Sequence, residues 1–315
     1  MSKDRFDIDL AKLKTYPISK RKSKVKHQDF AGIPSKGASF SDFHESLPSI
    51  LAGNDLKAVV GAIVSAARKK KPVIAMMGSH VIKCGLNPVI IELIKKKVIT
   101  AVALNGSGAI HDFEIALIGK TSESVDEAIE DGSFGMAKET ALYINGALGE
   151  AVEREIGAGQ AIGQVIKEEK LSFKDMSILY NCVKHSIPAT VHIAVGTDIV
   201  HQHPSCDGAN TGEASLRDFH NFVEVVSGLG DGGVALNIGS TVILPEVFLK
   251  ALNVARNLGS KVKNFTACNF DMVNHYRPYQ NVVKRPVKSG GAGYTIIGHH
   301  EITIPLLAQA IIEKL

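Results

Sequence analysis

Tryptophan is absent, and aromatic residues together supply only 6% of the chain's 315 positions. Stacking surfaces for nucleic-acid bases are therefore scarce. The two basic clusters, one from Lys20 to Lys26 and one from Arg68 to Lys71, read as a solvated arm and a solvated helix end. Cysteine is sparse as well. The four cysteines stand at 84, 182, 206 and 268 without paired spacing, which excludes a cysteine zinc site or a C-x-x-C redox pair. Three of them lie among apolar neighbours, as reduced core cysteines do. No uncharged run approaches the ~20 residues that a membrane-spanning helix needs. Charge begins at Lys3, so no signal peptide is expected. The formal net charge is a mild +4. The expected setting is soluble, reduced and cytoplasmic, with neither nucleic acid nor membrane as a partner.

What the sequence does contain is apolar text in regular blocks. Hydrophobic residues make up 45% of the chain, enough to bury a large core. Residues 1–41 lack sustained periodicity and are expected to form an arm, and residues 42–315 a single domain. "NDLKAVVGAIVSAARKKK" has helical spacing, with Asn54 as its expected cap. "PVIAMMG" (72–78) is a short apolar run bounded by Pro and Gly, which suits a strand buried on both faces. Helices are then expected at 87–97, 135–155, 160–185, 215–229, 245–259 and 302–315. Strands are expected at 98–106, 187–195, 232–239 and 262–270, with one more before the last helix. Strands alternating with helices predict an α/β fold: a Rossmann-like, doubly wound, mostly parallel sheet covered by helices on both faces.

Ligands on such sheets sit beyond the C-terminal ends of the strands, and polar residues gather there in this sequence. The successive strand ends read Gly78-Ser79-His80, Asn105-Gly106-Ser107-Gly108 with His111-Asp112, Gly196-Thr197-Asp198 with His201 and His203, Asn237-Ile238-Gly239-Ser240, and Phe270-Asp271. Small residues at such turns admit a ligand close to backbone N–H groups, and the following helix N-termini favour anions. A phosphate-bearing or dinucleotide ligand fits this pattern. The G-x-G-x-x-G fingerprint is not met, because His111 stands where its third glycine would fall, so a standard NAD dehydrogenase is not expected. His201-x-His203 with Asp198 or Asp207 offers a metal-site alternative if the backbone turns to converge both rings. Lys288 lies between Pro286 and the Ser289-Gly290-Gly291 turn, where it reads as a reactive amine, a phosphate clamp or a structural residue.

The segment "MMGSHVIKCGLNPVIIELIKKKVITAVALNGSGAIHDFEIALIG" and the C-terminal "RPVKSGGAGYTIIGHHEITIPLLA" resemble the deoxyhypusine synthase family and its bacterial deoxyhypusine synthase-like relatives. The likeness runs from about Ser39 onward. It implies a homotetramer that binds NAD at a subunit interface and oxidises spermidine. An imine then forms on an enzyme lysine, and an aminobutyl group passes to a protein lysine. By position, Lys288 falls within one residue of the imine-forming lysine. Ser79, His80 and Ile82 match a first NAD-contacting turn. Asn105, Gly106, Ser107 and Gly108 with Asp112 match a second, Gly239 and Ser240 a third, and His299 and His300 a last cofactor segment. Asp198 matches a substrate-side carboxylate. The chain departs from the family where acidic residues follow Phe-Asp, since Asn274, His275 and Asn281 stand there. It also lacks the family's pocket tryptophan.

The expected function is an NAD-dependent transferase that oxidises a spermidine-like amine, with Lys288 carrying the imine and His203 and Asp198 moving protons. The alternatives are a non-catalytic NAD- or metabolite-binding homologue, and a metal-dependent hydrolase using His201, His203, Asp207 and Asp112.

Overall fold

The computed structural model describes residues 8–315. Six strands form one all-parallel sheet in the order β3-β2-β1-β4-β5-β6: β1 Val73–Met77, β2 Ala101–Asn105, β3 Ala189–His192, β4 Val234–Ile238, β5 Phe265–Asp271 and β6 Gly291–Ile297. The helices are α1 Phe40–Ser46, α2 Leu51–Arg68, α3 His80–Lys83, α4 Asn87–Lys95, α5 Gly106–Ile118, α6 Val125–Asp131, α7 Lys138–Glu153, α8 Ala158–Glu168, α9 Ile178–Lys184, α10 Gly208–Ser227, α11 Ile243–Asn257, α12 Tyr276–Pro278 and α13 His300–Ile312. A π-helical segment, Tyr279–Lys284, continues α12. The expected Rossmann-like α/β fold is the one observed.

Alternation along the strands sorts their side chains into two cores. Val73, Ala75 and Met77 of β1 join Val102, Leu104 and Phe270 in the layer under α2, α4, α5 and α13. Ile74 and Met76 join Ala101, Ala103, Ala235 and Ala267 in the layer under α10 and α11. A side-chain period of two forces this division. Burial on both faces explains why the strands read as continuous apolar runs.

Two expectations about helices are corrected. The helix expected to begin at Asn54 starts at Leu51, and extended Ile50 precedes it without a side-chain cap. The stretch 160–185 is two helices: Lys170 takes a left-handed φ of 51° after α8, a 3-10 turn spans Lys174–Met176, and the Ser177 hydroxyl caps α9. The periodic apolar pattern runs through this break because both helices bury apolar residues in the same core. Between residues 8 and 39 the chain forms only short 3-10 turns and is largely exposed.

Candidate functional site

At the end of β2, Asn105 turns the chain into α5. Its Oδ1 accepts the Gly108 N–H at 3.0 Å, and its Nδ2 donates to Ser107 Oγ at 3.0 Å. The loop after β3 then lays Asp198 against the start of the helix. A Cβ on Gly106 would lie 1.9 Å from Asp198 Oδ2, and the Ser107 N–H donates to that carboxylate. A helix N-terminus favours an anion, and this one receives the chain's own. Gly106 therefore clears space for Asp198, which corrects the expectation that it clears space for a dinucleotide phosphate. Gly108 packs against its own cap, since its Cβ would meet Asn105 Oδ1 at 3.0 Å.

Asp198 is 8% exposed. Burial raises its pKa above the usual carboxylate range, against the pull of His201, His111 and the Ser107 N–H. It lines a cavity of about 530 Å³ at the C-terminal ends of β2 and β3, together with Ser107, His111, Glu114, Thr121 and Thr140. His111 Nδ1 lies 2.6 Å from Thr121 Oγ1, which donates to Glu114 Oε2 at 2.5 Å, while Thr140 donates to Glu114 Oε1 at 3.1 Å. Burial raises the Glu114 pKa, but the pull of His111, 3.8 Å away, and the hydrogen bonds from Thr121 and Thr140 outweigh it and hold the group below its ordinary value.

The two histidines after β3 are anchored separately. His201 Nδ1 accepts from the N–H groups of Gly196 and Asp198, each at 3.2 Å. Its proton therefore sits on Nε2, which is buried without a partner among the described residues. His203 Nε2 donates to the Gly135 carbonyl at 2.8 Å, and His203 does not line the cavity. Asp207 caps α10, accepting the Asn210 N–H at 2.9 Å. Among the described residues no three His, Cys, Asp or Glu side chains are placed to hold a metal.

The turns after β1 and β4 meet at the point where the strand order reverses. A Cβ on Gly78 would lie 2.1 Å from the Gly239 carbonyl oxygen, and one on Gly239, whose φ is +65°, would lie 2.7 Å from His300 Cε1. His300 is buried. It donates Nε2–H to the Phe270 carbonyl at 3.2 Å and leaves Nδ1 without a partner among the described residues. His80 packs edge-on to it, with ring centroids 5.8 Å apart. Ser79 and His80 remain half-buried at this edge, and His299 is exposed beside Glu301. The Ser240 hydroxyl accepts the Leu244 N–H at 3.2 Å as part of the start of α11. Ile82 is a core side chain, 2% exposed, so only its backbone could meet a ligand.

Asp112 and Lys288 do not join this edge. Asp112 is fully buried and accepts from Asn87 Nδ2, Ser177 Oγ and the N–H groups of Ile178 and Leu179. It ties α4 and α9 to α5 and has no oxygen left for a ribose. Lys288 precedes β6, whose seven residues run from Gly291 to the opposite edge. At about 3.3 Å per residue this puts Lys288 roughly 20 Å along the strand from His299. Within one chain Lys288 and Asp198 therefore do not share a site.

A larger cavity of about 1360 Å³ opens at the N-terminal strand edge, lined by Arg68, Lys70, Lys71, Lys96 and Lys97. These cations lie at or just after the C-termini of α2 and α4, where they complement the helix dipoles. The cavity's lining holds one carboxylate, Glu224, and no histidine, whereas the 530 Å³ cavity sets His111 among four carboxylates.

In the sequence His111 stands out only as the residue at the third-glycine position, and no pattern there marks Glu114, Thr121 or Thr140 as its partners. Nothing in "GKTSES" marks Thr121, because only the return of the loop over α5 brings it to His111. The buried cross-strand pair Asn237 Nδ2 to Asn269 Oδ1, at 2.7 Å, was also missed. Its signal was a polar residue inside each of two apolar runs.

No protein-family model matches the chain, and no curated protein matches its sequence. Solved structures share its fold. ArgZ, an arginine dihydrolase from the ornithine-ammonia cycle in cyanobacteria, is 15% identical at a TM-score of 0.51, over 84% of this chain and 33% of ArgZ. AgrE, in a ternary complex with ornithine and NAD+, is 13% identical at a TM-score of 0.52, over 82% of this chain and 32% of AgrE. An Entamoeba histolytica protein assigned as a deoxyhypusine synthase is 10% identical at a TM-score of 0.52, over 88% of this chain and 94% of its own. The chain spans about a third of the length of ArgZ and AgrE. At these identities the likeness is one of fold.

Proposed function

We propose that this chain is an NAD-dependent enzyme that oxidises a small amine in the cavity beside Asp198. The observation that carries the reading is Asp198 itself, a buried carboxylate lining a cavity at the strand ends where this fold places ligands. Four carboxylates, Glu114, Glu123, Glu139 and Asp198, line that cavity against the two lysines Lys83 and Lys120, which favours a cationic substrate. The fold shared with AgrE, whose complex holds NAD+, supports the cofactor. NAD would supply the hydride acceptor. The half-buried Ser79 and His80 and the exposed His299, beside the Gly78–Gly239 turns, are the residues of this chain that would face it.

Transfer of an aminoalkyl group through an imine on Lys288, as in a deoxyhypusine synthase, requires a second copy of the chain to bring that lysine to the cavity. A homo-oligomer, with a tetramer as the family expectation, belongs to this part of the reading.

Thermal melting with NAD+, followed by NADH formation with a panel of primary amines and diamines, tests the proposal. The expected result is a higher Tm with NAD+ and amine-dependent NADH. Asp198→Asn should lower kcat/KM for the amine on the order of 10²-fold while NAD+ still raises the Tm. Binding of NAD+ without turnover of any amine would favour a non-catalytic role. No effect of NAD+ on melting would overturn the reading.

A further inference from the structure

The proton positions around His111 follow from its partners. Glu114 is held in its ionised form and can only accept hydrogen bonds. Thr121 has one hydroxyl proton, and the 2.5 Å contact gives it to Glu114 Oε2. The 2.6 Å contact between Thr121 Oγ1 and His111 Nδ1 must then be an Nδ1–H donation. In the neutral ring the network therefore leaves the lone pair on Nε2. Nε2 has no protein partner among the described residues, and His111 lines the cavity that also contains Asp198. A carboxylate, a hydroxyl and an imidazole in series orient a base as a third group orients the histidine of a hydrolytic triad, here with a threonine in the middle.

We infer that His111 Nε2 is the base that takes a proton from the substrate ammonium, with Thr121 and Glu114 as the residues that position it; this rests on the amine-oxidation reading above. One N–H bond of the ammonium breaks and its proton passes to Nε2, making His111 an imidazolium. NAD+, when bound, would supply the acceptor for the hydride that the free amine releases from its carbon, as the nitrogen lone pair closes the C=N bond of a protonated imine. The imidazolium is stabilised from two sides, by Glu114 through Thr121 and by Asp198, whose charge already interacts with His111. Lys83 and Lys120 also line the cavity and oppose that positive charge, while Glu123 and Glu139 favour it.

The test uses the full chain with NAD+ and either 1,4-diaminobutane or spermidine, reading NADH. His111→Gln should lower kcat on the order of 10²-fold at neutral pH, with the loss shrinking at alkaline pH where the amine deprotonates unaided. Added imidazole should restore part of the rate to His111→Ala. Thr121→Val should lower kcat about tenfold and move the pH profile, whereas Thr121→Ser, which keeps the hydroxyl, should behave like the unaltered chain. NAD+ should raise the melting temperature of all four variants equally. A His111→Gln variant that makes NADH at the normal rate and with the normal pH profile overturns the inference and leaves amine oxidation standing. No NADH from either amine with the unaltered chain removes the amine reading and this step with it. Nitrogen NMR showing the resting proton of His111 on Nε2 overturns the orientation argument in either case.

Discussion

Asp112 receives four hydrogen bonds, all from groups outside its own helix, and burial nonetheless pushes its pKa up to about 6. Asp198, against the N-terminus of the same helix, spends its carboxylate on that N-terminus and one cavity wall. The two residues should therefore fail differently. Asp112→Ala leaves four donors unpaired and should cost about 3 kcal/mol or more in denaturant unfolding, with no loss of NAD+ binding by the folded fraction. Gly106→Ala should act on Asp198 instead. Its Cβ would lie 1.9 Å from Oδ2 and displace the carboxylate, so amine turnover should fall much more than stability, as comparison of kcat/KM with the Tm would show. Residue types alone pointed to Asp198 and misread Asp112. Both follow a glycine-containing turn in the sequence, and only burial separates a carboxylate facing a cavity from one facing three packed helices.

At the scale of elements, the turns after β1 and β4 are glycine for mutual packing. Gly239→Ala would force a left-handed φ on a residue with a Cβ and drive it into His300. The left-handed backbone alone costs roughly 1–2 kcal/mol, and the displaced ring should raise the total, measurable as a lower denaturation midpoint. Strand β6 decides the fate of Lys288. The sequence places this lysine close to His299 along the chain, but a strand of seven residues separates them in space. If a second copy completes the site, borohydride reduction during turnover should label Lys288 in the oligomer. Dilution to monomers should abolish the label, and mass spectrometry of the peptide checks both. Strand and helix positions were legible because burial on both faces writes a plain apolar run and helices write a period of 3.6. The break between α8 and α9 was not, because a left-handed Lys170 has no residue signature of its own.

For the whole molecule, three buried groups oppose one another in pH. Burial pushes the His192 pKa down to about 3, so the folded chain keeps it neutral while the unfolded chain protonates it below about 6.5. Its share of stability is full above that pH and is lost as pH falls towards 3. Burial pushes Asp218 up to about 7 and Asp112 to about 6. The folded state then retains protons that the unfolded state releases near pH 4, and stability falls as pH rises through that window. Between about pH 4 and 6 two such carboxyls outweigh one histidine, leaving a net fall in stability as pH rises. Asp218→Asn keeps an oxygen for the Gly159 and Val191 N–H groups. It should flatten that slope in urea titrations at stepped pH, and an unchanged slope would refute the assignment.

By itself the sequence determined the class of the fold, the alternation that builds two cores, and the edge of the sheet where polar residues collect. Those features depend on periodicity and composition, which are local. The tertiary structure alone decided which polar residues meet. It placed Asp198 on the α5 N-terminus, Thr121 between His111 and Glu114, Asp112 in the interior, and Lys288 at the far end of β6. These outcomes depend on the paths of loops and on strand direction, and no short stretch of residues encodes a distance across a sheet.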